Sequence, residues 1–501
     1  MNNTNHIESS TDASSINIAQ YRKETFELYA GNAYIEALPD LPEDGVLVKR
    51  LAVLPKFSAQ EREMSSPHRL MALAKIRRIF VPTPRVVSLA RAMQMTMFEG
   101  YAPRSPGSVS DRETDQRISS MVKSGGLSEL AQRDLAAQLS MGLIGSSGQG
   151  KSFTLRHIAG TVKPYYFHEQ TGKWQVPYLI IEMAFDGRSV NTLAASIVTE
   201  LDRILPDAGY YKLVMEGRGR NAETRLAMAL RLAYLHGVGM IVVDEGQNQM
   251  STDGEDAFTQ KRRAPKDAVR ENSLTKLLIT ASNISHIPLL MAGTPEMFNT
   301  VGNRFTRSRR LAGNGSAVWG PLTRVDPGFE MLLKVLFRYQ WVKTPIEYSS
   351  DWADFLHRMT GGIPDVMTKL WASSQRLAIT SGVETLTHEL VQAAMAAEFR
   401  PVILGIETVL NADQVPAALH SPDLLIPSQH VLDRCLSETT LPVEIERVLP
   451  DEAPPVKRAP RRRAVKEPSI PPAAALDPKV LQSADLRTAT AVRTEQTADL
   501  G

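Results

Sequence analysis

Eight consecutive residues of the chain have the types and order of a loop that holds phosphate groups: Gly145, Ser146, Ser147, Gly148, Gln149, Gly150, Lys151 and Ser152. Backbone N–H groups of such a loop curl around a β-phosphate, and Gly145 and Gly150 permit the tight path. Lys151 reaches the β- and γ-phosphates, and Ser152 offers its hydroxyl to Mg²⁺. The segment therefore predicts a site for a nucleoside triphosphate with Mg²⁺.

A pair of carboxylates is the candidate for turning the nucleotide over. Asp244 and Glu245 follow the apolar run Met240 to Val243. Hydrolysis needs one negative group on the metal side and one base facing the γ-phosphate. We assign Asp244 to the Mg²⁺ shell and Glu245 to the attacking water. The alternative is a strand that merely ends at polar residues.

Polar residues further along the chain extend the candidate catalytic set. Thr294 follows the apolar run Leu289 to Ala292, where its hydroxyl would sense the γ-phosphate; a Thr-Pro turn leaving a strand explains the same residues. Arg307, Arg309 and Arg310 form a cluster from which one arginine would reach the γ-phosphate of a neighbouring subunit. The sequence does not single out which of them does so.

Alternating strands and helices must position these groups. Apolar strands are predicted at Met141 to Ile144, Tyr178 to Ala184, Met240 to Asp244 and Leu289 to Ala292, and a helical pattern lies between them at Ala222 to Gly237. This alternation predicts a parallel sheet covered on both faces. Helical patterns alone follow Pro327, which predicts a helical lid.

Length and composition exclude several classes of protein. The chain has 501 residues, 43% of them hydrophobic, which predicts two or three domains. It has no apolar run of membrane-spanning length, and its polar start lacks the pattern of a signal peptide, so we expect a cytoplasmic protein without a membrane partner. A single cysteine, Cys435, excludes an internal disulfide.

Contact with DNA would have to come from local patches, because the net charge is only +2. The candidates are Arg188 and Ser189, after the second strand, and the run Lys261, Arg262 and Arg263. Basic and small polar residues there would bind phosphates without reading bases. A solvated face is the alternative for each charge run.

A wider set of segments resembles one family, the AAA+ ATPases, and within them the TnsC and TniB regulators of bacterial DNA transposition, with TnsC the nearer. The segments are Asn32 to Asp44, Met97 to Pro106, Ile287 to Phe298 and the arginine cluster that follows. The similarity in order and spacing extends from about residue 21 to about residue 435. It implies an α/β fold: an AAA+ P-loop ATPase with a parallel central sheet, an N-terminal extension, a helical lid and a disordered C-terminal tail.

The resemblance also implies a function and partners. A member of this family would bind ATP and Mg²⁺, assemble as a ring or helical filament on duplex DNA without sequence preference, receive a signal from a TniQ- or TnsD-type target selector, and activate TnsB-type and possibly TnsA-type transposase subunits. The expected parts are a disordered leader (1–20), an N-terminal family-specific region (21–125), the AAA+ nucleotide-binding core (126–326), the helical lid with C-terminal helices (327–440), and a disordered partner-binding tail rich in Pro, Lys and Arg (441–501).

At two places this chain departs from the family's motifs, which limits the roles that the resemblance can assign to its residues. The family commonly has Gln-His soon after the acidic pair, whereas this chain has Gln247 and Asn248. Many AAA+ proteins also place an arginine at the start of a lid helix, which is absent at Gly361 to Asp365, and Lys369 is the substitute candidate.

Three alternative functions stay open at the level of sequence. The nearest is a helicase loader or initiator-type AAA+ protein, which would favour single strands or origin sequence. The others are a signalling NTPase that binds protein partners and never DNA, and a scaffold that holds ATP as a structural cofactor. The intact pair Asp244 and Glu245 argues against the scaffold.

Overall fold

The computed structural model describes residues 16–124, 139–183, 189–217, 220–246, 278, 281–295 and 316–410. Its strands are β1 (Ser140–Gly145), β2 (Tyr166–His168), β3 (Lys173–Gln175), β4 (Tyr178–Glu182), β5 (Met240–Asp244), β6 (Leu289–Gly293) and β7 (Ser316–Trp319).

The helices fall into three groups along the chain. Before the sheet come α1 (Ala33–Glu36), α2 (Asp44–Leu51), α3 (Ser66–Ala72), α4 (Pro84–Tyr101) and α5 (Val109–Ser124), with 3-10 turns at Ala59–Glu63, Leu73–Arg78 and Ala102–Arg104. Between the strands lie α6 (Lys151–Ala159), α7 (Val190–Ile204), α8 (Tyr210–Met215) and α9 (Ala222–Leu235). After the sheet come α10 (Pro327–Arg338), α11 (Ser350–Thr360), α12 (Pro364–Ser381), α13 (His388–Glu398) and α14 (Arg400–Leu410), which we call the lid.

The central sheet has five parallel strands in the order β4-β5-β6-β1-β7. The predicted α/β fold with a parallel sheet is confirmed. Strand β7 was not predicted, nor was the antiparallel hairpin of β2 and β3. All carboxyl ends of the parallel strands meet at one edge of the sheet, which we call the carboxyl edge, and all amino ends meet at the opposite, amino edge.

Two hydrophobic cores cover the two faces of this sheet, because successive side chains of a strand point to opposite sides. Along β5, Met240 and Val242 belong to the core shared with the lid and with residues 19–101, which we call the N-terminal segment. Ile241 and Val243 belong to the core formed with α5, α7 and α9. Burial on both faces explains why the strands read as unbroken apolar runs.

The N-terminal segment is part of the first core, which extends along the chain from Ala19 to Ile406. Helix α4 fits closely at the amino edge, since a Cβ on Gly100 would lie 2.4 Å from Pro288 Cδ. Residues 17 and 19 contact strand β2: the Ala19 N–H donates to Phe167 O at 2.9 Å and the Phe167 N–H donates to Asn17 O at 2.8 Å.

The lid is joined to the N-terminal segment by a buried ion pair. Arg69 of α3 is 1% exposed, and its Nη1 and Nη2 each donate to a carboxylate oxygen of Glu384 at 2.6 Å. Arg69 Nη1 also donates to Trp341 O at 2.9 Å. A two-pronged contact of this kind fixes both position and orientation, so the lid and the N-terminal segment form one support behind the sheet.

Candidate nucleotide site

The phosphate loop connects β1 to α6 at the carboxyl edge. Gly148 and Gly150 have φ of +78° and +79°, a conformation that favours glycine. Gly150, the residue before α6, has no side chain that could cap the helix. N–H groups at a helix start attract anions. The local backbone therefore suits a phosphate group.

Lys151 and Ser152 supply side chains at the mouth of this loop. The ammonium of Lys151 donates to Gly145 O at 2.6 Å and to Ser146 O at 3.1 Å. Both Lys151 and Ser152 are half-buried. The positive charge is thus held over the first turn of the phosphate loop, where a bound phosphate would meet it.

The acidic pair lies at the end of β5. Asp244 is 2% exposed, and its Oδ1 accepts the Glu245 N–H at 3.0 Å. Glu245 is exposed and has φ of +57°, which is costly for a residue with a side chain, about 1 kcal/mol or more. The turn separates the two carboxylates, since one stays in the sheet edge and the other faces solvent. Such strain is the kind of outlier that points to function.

Thr294 lies between the phosphate loop and the acidic pair because β6 lies between β1 and β5. Ile144 pairs with Gly293, and Val243 pairs with Met291. Neighbouring strands are about 4.8 Å apart, so β1 and β5 are separated by roughly 10 Å. Thr294 is 7% exposed at the end of the middle strand. This placement is compatible with the sensor role, which stays a prediction.

These residues fit ATP with Mg²⁺ by the chemistry of their donors. Among the described residues no cluster of three or more His, Cys, Asp or Glu could hold a metal. Mg²⁺ at a nucleotide needs only one or two protein ligands besides phosphates and water, and Ser152 with Asp244 would supply them. The bound ion would offset phosphate charge.

The lid contacts the phosphate loop directly. The Asp365 N–H, in the first turn of α12, donates to Gly148 O at 3.1 Å, and a Cβ on Gly148 would lie 2.8 Å from Ile363 Cγ2. Lys369, the substitute candidate for a lid arginine, donates to the Asp365 carboxylate at 2.6 Å. Lys369 thus lies one helical turn from the contact between the lid and the phosphate loop.

A groove of about 730 Å³ lies elsewhere, between α6, α7 and the edge strand β4. Charged residues line it, including Arg156 and Glu182, which form an ion pair of 2.7 Å. None of its lining residues belongs to the phosphate loop or the acidic pair. We therefore place the nucleotide at the carboxyl edge and not in this groove.

Several predicted site residues lie outside the described residues. They are Arg307, Arg309 and Arg310 of the arginine cluster, Arg188, and Lys261, Arg262 and Arg263. Ser189 is described, and its hydroxyl accepts the Thr192 N–H at 3.2 Å as the N-terminal cap of α7. A helix cap is the structural role of Ser189, and its contact with DNA stays a prediction.

Sequence reasoning did not identify one residue beside the phosphate loop, Arg85 of α4. Its Nη2 donates to Gln149 Oε1 at 3.1 Å, and its Nη1 donates to Gly320 O at 2.9 Å. Burial lowers the pKa of the Arg85 guanidinium to about 10, so it stays charged at neutral pH. Arg85 is distant from Gln149 in sequence, and only its position after Pro84, at a helix start, could have drawn attention.

A family model described as an AAA domain matches residues 135–301, about a third of the chain. That range contains the phosphate loop, the acidic pair and Thr294. It is an AAA+ domain. An AAA+ domain accounts for the position of β6 between the strand that precedes the phosphate loop and the strand that ends in the acidic pair. The match also implies the general activity of such domains, which is nucleotide hydrolysis.

Other comparisons add little to the AAA+ assignment. No curated protein sequence matches this chain. Similar solved structures include a Drosophila ORC bound to DNA, with 13% identity, 71% of this chain and 82% of that chain covered, and a TM-score of 0.29. The Aeropyrum pernix ORC2 protein in its ADP form has 14% identity, covers 60% of this chain and 76% of that chain, and gives a TM-score of 0.32. The assignment rests on the AAA-domain match and the strand order.

Within the residues that the structure describes, no helix has both the length and the apolar character needed to cross a bilayer.

Proposed function

We propose that this protein hydrolyses ATP at the carboxyl edge and uses the nucleotide state to control an assembly. The observation that carries the proposal is that the phosphate loop, Thr294 and the acidic pair lie at the carboxyl ends of three neighbouring strands. Lys151 and Ser152 bind phosphate and metal, Glu245 orients and deprotonates the attacking water, and Thr294 contacts the γ-phosphate. Mg²⁺ neutralises charge on the phosphates when it is bound.

Within that class we propose a DNA-binding regulator of transposition, which links a target selector to the transposase. The support is that segments carrying the resemblance, though distant in sequence, are in contact. Asn32 Nδ2 donates to Tyr101 O at 2.8 Å. The rings of Tyr34 and Tyr101 are 5.1 Å apart. Gly100 lies against Pro288, as noted above. The three segments form one unit at the amino edge.

The nucleotide reaction and the DNA role are tested together with purified protein. Random duplex DNA, single-stranded DNA or no DNA is combined with ATP, a nonhydrolysable analogue, ADP or no nucleotide, while particle size is followed by light scattering. We expect large assemblies only with duplex and a triphosphate. Binding should fall steeply with salt and vary little with sequence, because phosphate contacts dominate.

The other results discriminate between functions. Preference for single strands would favour a helicase loader or initiator. Absence of DNA binding in every nucleotide state, with ATP hydrolysis intact, would favour a switch that acts on protein partners. Absence of ATP binding would overturn the whole proposal, including the transposition role.

Alanine variants of the arginine cluster test assembly-dependent hydrolysis. Arg307→Ala, Arg309→Ala and Arg310→Ala are each expected to bind ATP as monomers, and the variant that removes the arginine offered to the neighbour should fail to hydrolyse ATP on DNA. Full DNA-stimulated turnover in all three variants would contradict a role for this cluster.

A further inference from the structure

Arg85 connects the N-terminal segment to the phosphate loop. It is the second residue of α4, and its guanidinium lies over the Trp319 ring at 4.8 Å. Two of its N–H groups reach separate targets, Gln149 Oε1 and Gly320 O, as described above. A flexible lysine could not make this forked contact, so the geometry is specific to arginine.

Both targets control the shape of the phosphate loop. Gln149 lies between the two left-handed glycines and is 3% exposed, so its side chain points inward. Gly320 follows Trp319, and Trp319 O accepts the Ser146 N–H at 3.2 Å. One guanidinium therefore contacts the phosphate loop at Gln149 and also the end of β7. The end of β7 in turn binds the start of the loop, through Trp319 O and the Ser146 N–H.

Stability alone is a poor reason for this arrangement. The two acceptors are neutral, and the cost of desolvating the Arg85 charge is only partly offset by the charge of Asp326. Arg85 Nε and Gln149 Nε2 are buried, with no hydrogen-bond partner among the described residues. Within the part of the chain that the structure describes, the contact therefore leaves two buried donors unpaired, each of which costs free energy.

Helix α4 is fixed at its other end to the amino edge. Tyr101 Oη donates to Gly237 O at 2.7 Å, and Arg104 Nη1 donates to Val238 O at 2.8 Å. With 18 residues, α4 is about 27 Å long. Its first turn is thereby held at one edge of the sheet and its last turn at the other.

We propose that Arg85 is a positioning residue that holds the phosphate loop in the shape that accepts a nucleotide, so that nucleotide affinity depends on the N-terminal helix α4. The inference rests on the proposed function, in which this loop binds ATP. Arg85 acts through Gln149 and the end of β7, and it takes no part in the bond-breaking step.

The test compares variants by titration with a fluorescent ADP analogue and by steady-state ATPase kinetics. Arg85→Ala should weaken nucleotide affinity about tenfold, and Arg85→Lys and Gln149→Ala each about threefold or more, in line with the loss of charge-assisted hydrogen bonds. The kcat at saturating ATP should change by less than about twofold, because only binding requires the preformed loop. The double variant Arg85→Ala/Gln149→Ala should be no weaker than Arg85→Ala alone.

Arg91→Ala is the matched control on the same helix. Arg91 donates to Pro42 O at 3.0 Å and pairs with Asp44, away from the phosphate loop. Its removal should leave nucleotide affinity unchanged. An equal loss of affinity in Arg91→Ala would show general loosening of α4 and overturn the proposal.

The remaining outcomes separate this inference from the proposed function. If wild type and Arg85→Ala bind nucleotide equally while Lys151→Ala does not, the inference about Arg85 is overturned and the proposed function stands. If wild type binds no nucleotide, the proposed function falls. If Arg85→Ala does not fold, wild-type affinity in both Arg85→Lys and Gln149→Ala overturns the inference. Additive effects in the double variant overturn it as well.

Discussion

The carboxyl and amino edges of the central sheet are built for different purposes. At the carboxyl edge, Glu245 has a left-handed backbone, and the phosphate loop contains two more such positions. At the amino edge, Tyr101 is 0% exposed and Arg104 is 1% exposed, and both donate to backbone carbonyls. Burial raises the pKa of Tyr101 and lowers that of Arg104. Glycines and Glu245 shape the ligand-facing loops of the carboxyl edge, whereas side-chain hydrogen bonds hold α4 at the amino edge, where His286 also has a left-handed backbone.

Removal of Lys151 should have the largest effect on nucleotide binding at the carboxyl edge. Lys151→Ala is expected to abolish nucleotide binding, because no other ammonium is held over the first turn of the phosphate loop in the described chain. Its unfolding free energy should change by less than about 1 kcal/mol, since the side chain is half-buried. Calorimetric titration with ADP and a urea melt measure the two effects. Retained nucleotide affinity would contradict the assignment.

Substitution of Glu245 should separate chemistry from strain. Glu245→Gln is expected to bind ATP normally and to hydrolyse it about 10²-fold or more slowly. Glu245→Gly should be equally inactive, yet more stable to unfolding by about 1 kcal/mol, because glycine adopts the observed φ of +57° without cost. Steady-state kinetics and urea melts provide the measurements. Normal turnover in Glu245→Gln would remove Glu245 from its role as base.

The ion pair between Arg69 and Glu384 should confer a pH dependence on stability that the nucleotide site does not share. The Arg69 hydrogen bonds hold the pKa of Glu384 below its ordinary value of 4.5. The stabilisation is thus complete above that value and is lost as the pH falls through the lower, folded-state pKa. Glu384→Gln should cost about 1–3 kcal/mol at neutral pH, since the buried Arg69 loses its charged partner but keeps its hydrogen bond to Trp341 O.

Urea melts from about pH 7 to about pH 3 test the ion pair. The variant should lose less stability than wild type on acidification, because it lacks the titrating carboxyl. Equal acid sensitivity of the two proteins would contradict the role of Glu384. The ATP affinity of Glu384→Gln at neutral pH is expected to equal that of wild type. Substitutions at the phosphate loop, in contrast, are expected to weaken it.

The smallest expected effect is at the amino edge. Tyr101→Phe removes the donor to the Gly237 carbonyl and should lower the unfolding free energy by about 1–2 kcal/mol. The kcat should not change and the KM for ATP should change by less than about twofold, since Arg104 still holds this end of α4 at the amino edge. A urea melt beside an ATPase assay measures both. A shift in KM with unchanged stability would contradict the conclusion that the amino edge stabilises the fold and the carboxyl edge binds the nucleotide.

The sequence was most informative where local patterns determine structure. The apolar run ending at Asp244 predicted β5 with its observed bounds, because burial on both faces leaves a continuous signal. Strand β7 has four residues, and β2 and β3 have three each, which is too short for periodicity to identify. These elements are stabilised by their neighbours and not by their own composition.

Contacts between distant parts of the chain could not be predicted in the same way. The phosphate loop was recognisable from its residue types, but its attachment to Arg85 and to Asp365 depends on how α4 and the lid fold back on it. Neither attachment leaves a local pattern. The left-handed backbone at Glu245 was likewise unpredictable, since glutamate disfavours it and only the surrounding structure imposes it.

The close approach of the lid to the phosphate loop has a genetic consequence. A Cβ on Gly362 would lie 1.9 Å from the backbone oxygen of Leu322, whereas a Cβ on Gly148 would first meet the end of the Ile363 side chain at 2.8 Å. A second-site mutation can therefore compensate for a substitution at one of these glycines but not at the other. Trimming Ile363 relieves the clash at position 148, leaving only the backbone strain, while no second-site side chain can be shortened to rescue position 362.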